Sequence, residues 1–382
     1  MSVLMVLVPL LLGALVHRVS LSRARRVRRP GSDKWVRESF APAAFGLVPA
    51  AALDAGRAGP PLGEHRLAGM RSVAFAVRDG DWRAASAYVA AAGEDWDARW
   101  SRTEFLQELA TDGDDWLRAW RREEPGNADA ATLHASLLVH RAWEVRGSGY
   151  AREVGDERMR RFQEMLPEAV EVARAAAALD PRDPGPWVVM ITASRALAPS
   201  RRQFGELWEN LVARAPYHYA GHWQALQYWC AKWHGSDRLM LRFARRAAAN
   251  APAGSPLAGM YLHALHELDE RGGTGLVRAR SSGSRKLLER VHASFALVGP
   301  EDERLPRLRH LLAHYLLATG NNDAALEQFR LLGRWCGAYP WTEAADPVAA
   351  FDHARGLAAK GSSARRALRS GAAAKGRASM TR

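Results

Sequence analysis

Histidines one helical turn apart are the first chemistry this chain offers. His218 and His222 lie four residues apart, as do His310 and His314, while His263 and His266 lie three apart. On a helix either spacing sets two imidazoles on one face, where they could share a metal ion. The remainder of a metal site is missing. No HExxH motif occurs, and Glu267 is the one acid directly beside any of the pairs. The histidines are therefore expected as polar groups of a groove or surface, with His310 and His314 pointing into the concave groove as partner-binding residues, and no metal or other cofactor is expected. Groups for covalent chemistry are equally sparse. The GSG at Gly147–Gly149 lacks the flanks of a nucleophile elbow, and no P-loop or GxGxxG follows a predicted strand. Asp180, Asp183 and the run Glu301, Asp302, Glu303 stand where helices begin, which suits capping rather than a paired acid and base. Cys230 and Cys336 make neither a disulfide framework nor a CxxC pattern.

Tryptophan is the more unusual feature, with fourteen in 382 residues. Trp82, Trp96, Trp100, Trp116 and Trp120 crowd one region, and Trp223, Trp229 and Trp233 another. Large rings fill irregular contacts between helices, so core packing accounts for them most simply. The competing reading is an aromatic groove that grips an extended peptide or a helix, because tryptophan beside cations is typical of binding hot spots. Its candidate residues are His222, Trp229, Lys232 and Trp233, followed by Arg141, Trp143 and Arg146 just before a glycine-rich loop.

The helices that carry these residues are readable from the pattern. From Leu67 onward the apolar residues follow a 3.6-residue period, and almost nothing alternates as a strand would. Three helix ends line up on Pro181, Pro216 and Pro252, at spacings of 35 and 36 residues. Two phrases, AFAVRDGDWRAASAYVAAAG and LLAHYLLATGNNDAALEQF, share another layout. In each, a glycine (Gly80, Gly320) breaks the helix, an alanine (Ala85, Ala325) allows close approach, and a bulky residue (Val89, Phe329) fills the gap.

Charge is distributed unevenly. The net charge is +13, but residues 17–37 hold eight Lys/Arg against Asp33, and residues 360–382 hold seven with no acid. The remainder carries 39 basic and 40 acidic groups. A neutral body argues against a specific nucleic-acid module, and phosphate contacts by the flanks alone would be salt-sensitive and unspecific. Residues 3–16 (VLMVLVPLLLGALV) are apolar and are followed, not preceded, by arginines. That order is the reverse of a secretory signal and predicts an anchor helix, with the arginines holding the body at the cytoplasmic side of the membrane. The run is shorter than the ~20 residues of a spanning helix, so the alternatives are an interfacial helix, a helix buried on a soluble cytoplasmic protein, or a misassigned start. A mean hydropathy of -0.28 excludes a polytopic membrane protein.

The 35/36 spacing and the helix–glycine–helix phrases resemble the tetratricopeptide repeat over most of residues 67–359, with a departure at Glu270–Gly283. A narrower resemblance lies in HRAWEVRGSGYAREV (140–154), ALDPRDPGPWVVM (178–190) and PYHYAGHWQALQYWCAKWHGSDRLMLRFAR (216–245). These are similar to a bacterial family known as a domain of unknown function, with an Arg-Gly loop, here Arg146–Gly147, and a Lys/Arg-Trp-x-Gly-Ser turn, here Lys232, Trp233, His234, Gly235 and Ser236. The resemblance implies tetratricopeptide-like helices and leaves activity open. The expected protein is thus all-α, an α–α superhelix of antiparallel helix pairs preceded by an apolar N-terminal helix. Residues 1–29 form the anchor and its basic flank, 30–66 a linker, 67–359 the repeat domain and 360–382 a basic tail. The expected role is a membrane-tethered scaffold that binds a protein or peptide in its groove. The alternatives are an enzyme using His and Arg of that groove, with or without a metal, and tail-driven binding to anionic lipid or nucleic acid.

Overall fold

The computed structural model describes residues 33–147 and 155–365. These are helical, with no strand among them beyond one isolated bridge between Asp54 and Trp335. In chain order the α-helices are α1 (Lys34–Ser39), α2 (Glu64–Arg78), α3 (Trp82–Ala90), α4 (Trp96–Asp112), α5 (Asp115–Glu123), α6 (Ala128–Arg146), α7 (Asp156–Leu179), α8 (Gly185–Leu197), α9 (Arg201–Arg214), α10 (Tyr219–Tyr228) and α11 (Asp237–Asn250). There follow α12 (Met260–Gly272), α13 (Gly275–Ala279), α14 (Ser282–Phe295), α15 (Leu305–Thr319), α16 (Asn322–Leu332) and α17 (Pro347–Gly361). The chain divides into two compact units, one of residues 62–243 and one that joins the N-terminal stretch to residues from Ala244 onward. The division falls within α11.

Each expected helix end has a local cause. Pro181, Pro216 and Pro252 follow α7, α9 and α11, where proline's missing N–H and fixed φ cannot continue the helix. Gly80 and Gly320 take left-handed φ of +88° and +81° between α2 and α3 and between α15 and α16. The alanines five residues on, Ala85 and Ala325, are fully buried, as are Val89 and Phe329 four further. Starts are capped by side chains. Asn127 accepts from Ala130 N–H for α6, and Ser200 with Gln203 forms a reciprocal capping box for α9.

Within the 62–243 unit, α2 to α6 enclose one apolar cluster around Val77, Leu106, Trp120 and Leu133. A second, built by α4 and α6 to α10, surrounds Phe162, Leu166, Ile191, Phe204 and Tyr228. Most of the first tryptophan group belongs to these cores. Trp82, Trp100, Trp116 and Trp120 are buried, and the Trp82 and Trp120 rings stack at 6.0 Å.

The other unit incorporates the stretch expected as a linker. Residues 33–61 form α1 and two short 3-10 turns, Pro42–Phe45 and Ala50–Ala52, and bury Phe45 and Leu47. Backbone bonds fasten this stretch to residues near 335: Asp54 N–H donates to Arg334 O, Cys336 N–H to Asp54 O and Gly337 N–H to Arg57 O, all at 2.8–2.9 Å. Arg330 and Arg355 donate to the carbonyls of Phe45 and Val48. Prolines and glycines prevent long helices here, and these long-range bonds satisfy the freed backbone groups in their place. Among the described residues no helix is long and apolar enough to cross a membrane. The expected anchor at 3–16 lies outside the described residues, as does the basic tail beyond Arg365.

Candidate functional site

Two features far apart in sequence meet in the 62–243 unit: the end of α6, with Trp143 and Arg146, and the turn at 229–236 that joins α10 to α11. The turn folds back over the end of α10. His234 N–H bonds to Tyr228 O, Trp233 and Gly235 N–H to Cys230 O, and Ser236 N–H to Trp229 O. A Cβ on Gly235 would lie 1.8 Å from the Trp229 carbonyl oxygen, so only glycine fits there. Gly147 ends α6 at φ +76° and ψ 176°, a conformation essentially restricted to glycine. Both glycines of the sequence motifs therefore have backbone reasons to be present.

The turn delivers Trp233 edge-to-face onto Trp143, with ring centroids 5.5 Å apart at 89°, and Trp143 packs on Phe162 at 4.8 Å. Two guanidinium groups rest on these rings. Arg146 lies 5.3 Å from both Trp143 and Trp233, and Arg195, from α8, lies 4.3 Å and 5.7 Å from them. His234 Nε2–H donates to the Arg195 carbonyl at 2.8 Å, tying the turn to α8. Nothing in the sequence pattern singles out Arg195. Its one trace there is that it is the single charged residue of a largely apolar helix, GPWVVMITASRAL, where a charge must either reach water or have a purpose.

The electrostatics of the pair are unusual. Arg146 is only 7% exposed. Burial lowers its pKa, and burial followed by the positive charge of Arg146 pushes Arg195 down to about 10. Neither arginine has a carboxylate partner among the described residues. Arg146 Nη1 donates to the Gly147 carbonyl at 3.0 Å, but Arg146 Nε, Arg195 Nε, Trp143 Nε1 and Trp233 Nε1 are buried with no acceptor among the described residues.

The other expected binding residues scatter. Trp229 is half-buried on the core beside the turn, edge-to-face with Phe204 at 5.3 Å, and Lys232 is exposed on the turn itself. Arg141 bridges to Asp114 at 3.0 Å. His222 is buried between Trp208 and Phe243, its Nδ1–H donating to His218 O, and burial lowers its pKa to about 4. His218 itself caps α10, accepting from Gly221 N–H through Nδ1. In the other unit His310 is fully buried, not on an open wall. Its Nδ1 accepts from Trp341 Nε1–H at 2.9 Å and its Nε2–H donates to Ala58 O at 2.8 Å. With both ring nitrogens occupied, His310 has no lone pair to offer a metal. His314 is half-buried and meets the rings of Tyr315, Tyr339 and Trp341. Among the described residues no group of three or more His, Cys, Asp or Glu is placed to hold a metal ion.

The fold and site together define an all-helical protein that gathers two arginines and two tryptophans at one place. No protein-family model, no curated protein and no solved structure matches the chain.

Proposed function

We propose that this chain is a binding protein of the helical-repeat type, which recognises a protein or peptide partner and performs no bond chemistry. The observation that carries this reading is the meeting of Trp143, Arg146, Arg195 and Trp233, with Lys232 exposed on the same turn. Tryptophan and arginine in desolvated surroundings are the residue types that dominate binding energies. The repeat character rests on the proline spacing and on two helix–glycine–helix units whose small residues are buried. Attachment to the cytoplasmic side of a membrane rests on residues 3–16 and the arginines after them. Membrane fractionation of the full chain against a variant lacking residues 1–29 tests the attachment.

Site-directed photo-crosslinking tests the binding role. A photoreactive residue at Lys232 should capture a defined partner from an extract of the source cells, and the same residue at exposed Arg202 on α9 should not. Identical capture at both positions, or none at 232, contradicts the proposal.

A further inference from the structure

The geometry points to an oxyanion site at the Arg146–Arg195 pair, where a carboxylate or phosphate group would lie against the Trp143–Trp233 corner. This inference deepens the binding role above and rests on the same cluster, while its test reads something different.

The argument is one of unmet demand. Two guanidinium groups share two aromatic rings and repel one another, and neither has an acid partner among the described residues. Ring contact eases the cost of the positive charge through the guanidinium face, but it supplies no acceptor to the N–H edge, where Arg146 has the Gly147 carbonyl on Nη1 and both Nε atoms have none among the described residues. Four buried N–H groups on touching side chains lack acceptors: the two Nε atoms and the two indole Nε1 atoms. Buried polar groups are ordinarily bonded, and a desolvated cation without a counter-charge is costly. Among the described residues the local cluster therefore has donors and positive charge in excess and is short of acceptors and negative charge. An oxyanion supplies both, and arginine's planar fork matches carboxylate and phosphate geometry. His234 Nε2–H bonds the Arg195 carbonyl at 2.8 Å, and this ties the turn that carries Trp233 to the helix that carries Arg195.

Calorimetric titration of the full chain tests this, with inorganic phosphate in one arm, tri-glutamate in another and chloride as the control. The expected result is saturable binding of at least one oxyanion near one equivalent and none of chloride. The tighter oxyanion then assigns the source as phosphoryl or carboxylate. Arg195→Met and Arg146→Met should each weaken binding at least about tenfold, with Arg195→Lys between them and the wild type. In the absence of anion, Arg195→Met should melt at or above the wild-type temperature, because it removes an uncompensated charge. Binding by neither oxyanion up to about 10 mM would overturn the inference. So would wild-type affinity in the methionine variants, or a large drop in their melting temperature, which would make the pair structural. Oxyanion binding without partner capture at Lys232 would sink the scaffold role and leave the site standing; capture without oxyanion binding would do the reverse.

Discussion

Ala198 ends α8 in the left-handed region at φ +49°, three residues after Arg195, and is the one non-glycine with positive φ among the described residues. A Cβ there is strained, and the residue is exposed, so replacement by glycine removes strain without losing packing. Ala198→Gly should stabilise the 62–243 unit by up to about 1 kcal/mol, read as a higher urea midpoint; a lower midpoint would contradict this. Histidine burial gives a second prediction. His222 and His310 are each lowered to about 4, chiefly by burial. Between that value and the ordinary 6.5, the unfolded chain binds protons that the folded chain refuses. The stability these residues contribute is therefore complete above pH 6.5 and is lost as pH falls toward 4, by about 3 kcal/mol for each. Asp183 opposes them. Burial raises it to about 6, so the fold holds its proton below that pH and loses the benefit as pH rises. In the 62–243 unit His134 is likewise lowered to about 4 and stands with His222 against Asp183 and a raised Asp129. In the other unit His263 (about 3) and His314 (about 4) stand with His310 against a raised Asp269, so the urea midpoint of each unit should fall between pH 7 and pH 5. An unchanged or rising midpoint would contradict the placement of these rings.

At the scale of elements, the 229–236 turn is set by backbone contact more than by side chains. Gly235→Ala must displace the Trp229 carbonyl and with it the bonds that place Trp233. We expect a loss of about 3 kcal/mol or more, seen by circular dichroism on heating, with oxyanion affinity falling in parallel. Wild-type stability in that variant would mean the turn is not built as described. Much of this level was legible in the sequence. The glycines at 80 and 320, their buried alanine partners and the proline spacing all gave the right helix ends, because each acts through its immediate neighbours. The Arg146–Gly147 and Lys232–Ser236 phrases were visible too, although nothing local said that they meet. What stayed hidden depends on partners distant in sequence. His310 reads as a groove histidine until Trp341 and the carbonyl of Ala58 are found on its two nitrogens. Residues 30–66 read as a linker because the order of their described part, 33–61, comes from backbone bonds to residues near 335. Arg195 was masked by its apolar helix.

For the whole molecule, the division into two units has an optical consequence. Eleven of the fourteen tryptophans lie in residues 62–243, and only Trp35, Trp335 and Trp341 lie outside. Tryptophan fluorescence therefore reports mainly on the 62–243 unit, whereas circular dichroism weighs both. Urea transitions followed by the two signals should not coincide; superimposed curves would show that the units unfold as one. The same fluorescence signal gives the most direct test of the central claim, that Arg146 and Arg195 form a positive pair with no carboxylate partner among the described residues. The measurement is the urea midpoint of the wild type, Arg146→Met, Arg195→Met and the double variant, with and without phosphate. Without anion, each single variant should equal or exceed the wild type, and the second substitution should add less than the first because the repulsion is already gone. Phosphate should raise the wild-type midpoint alone. Single variants that unfold well below the wild type, with phosphate raising all four midpoints equally, would contradict the account.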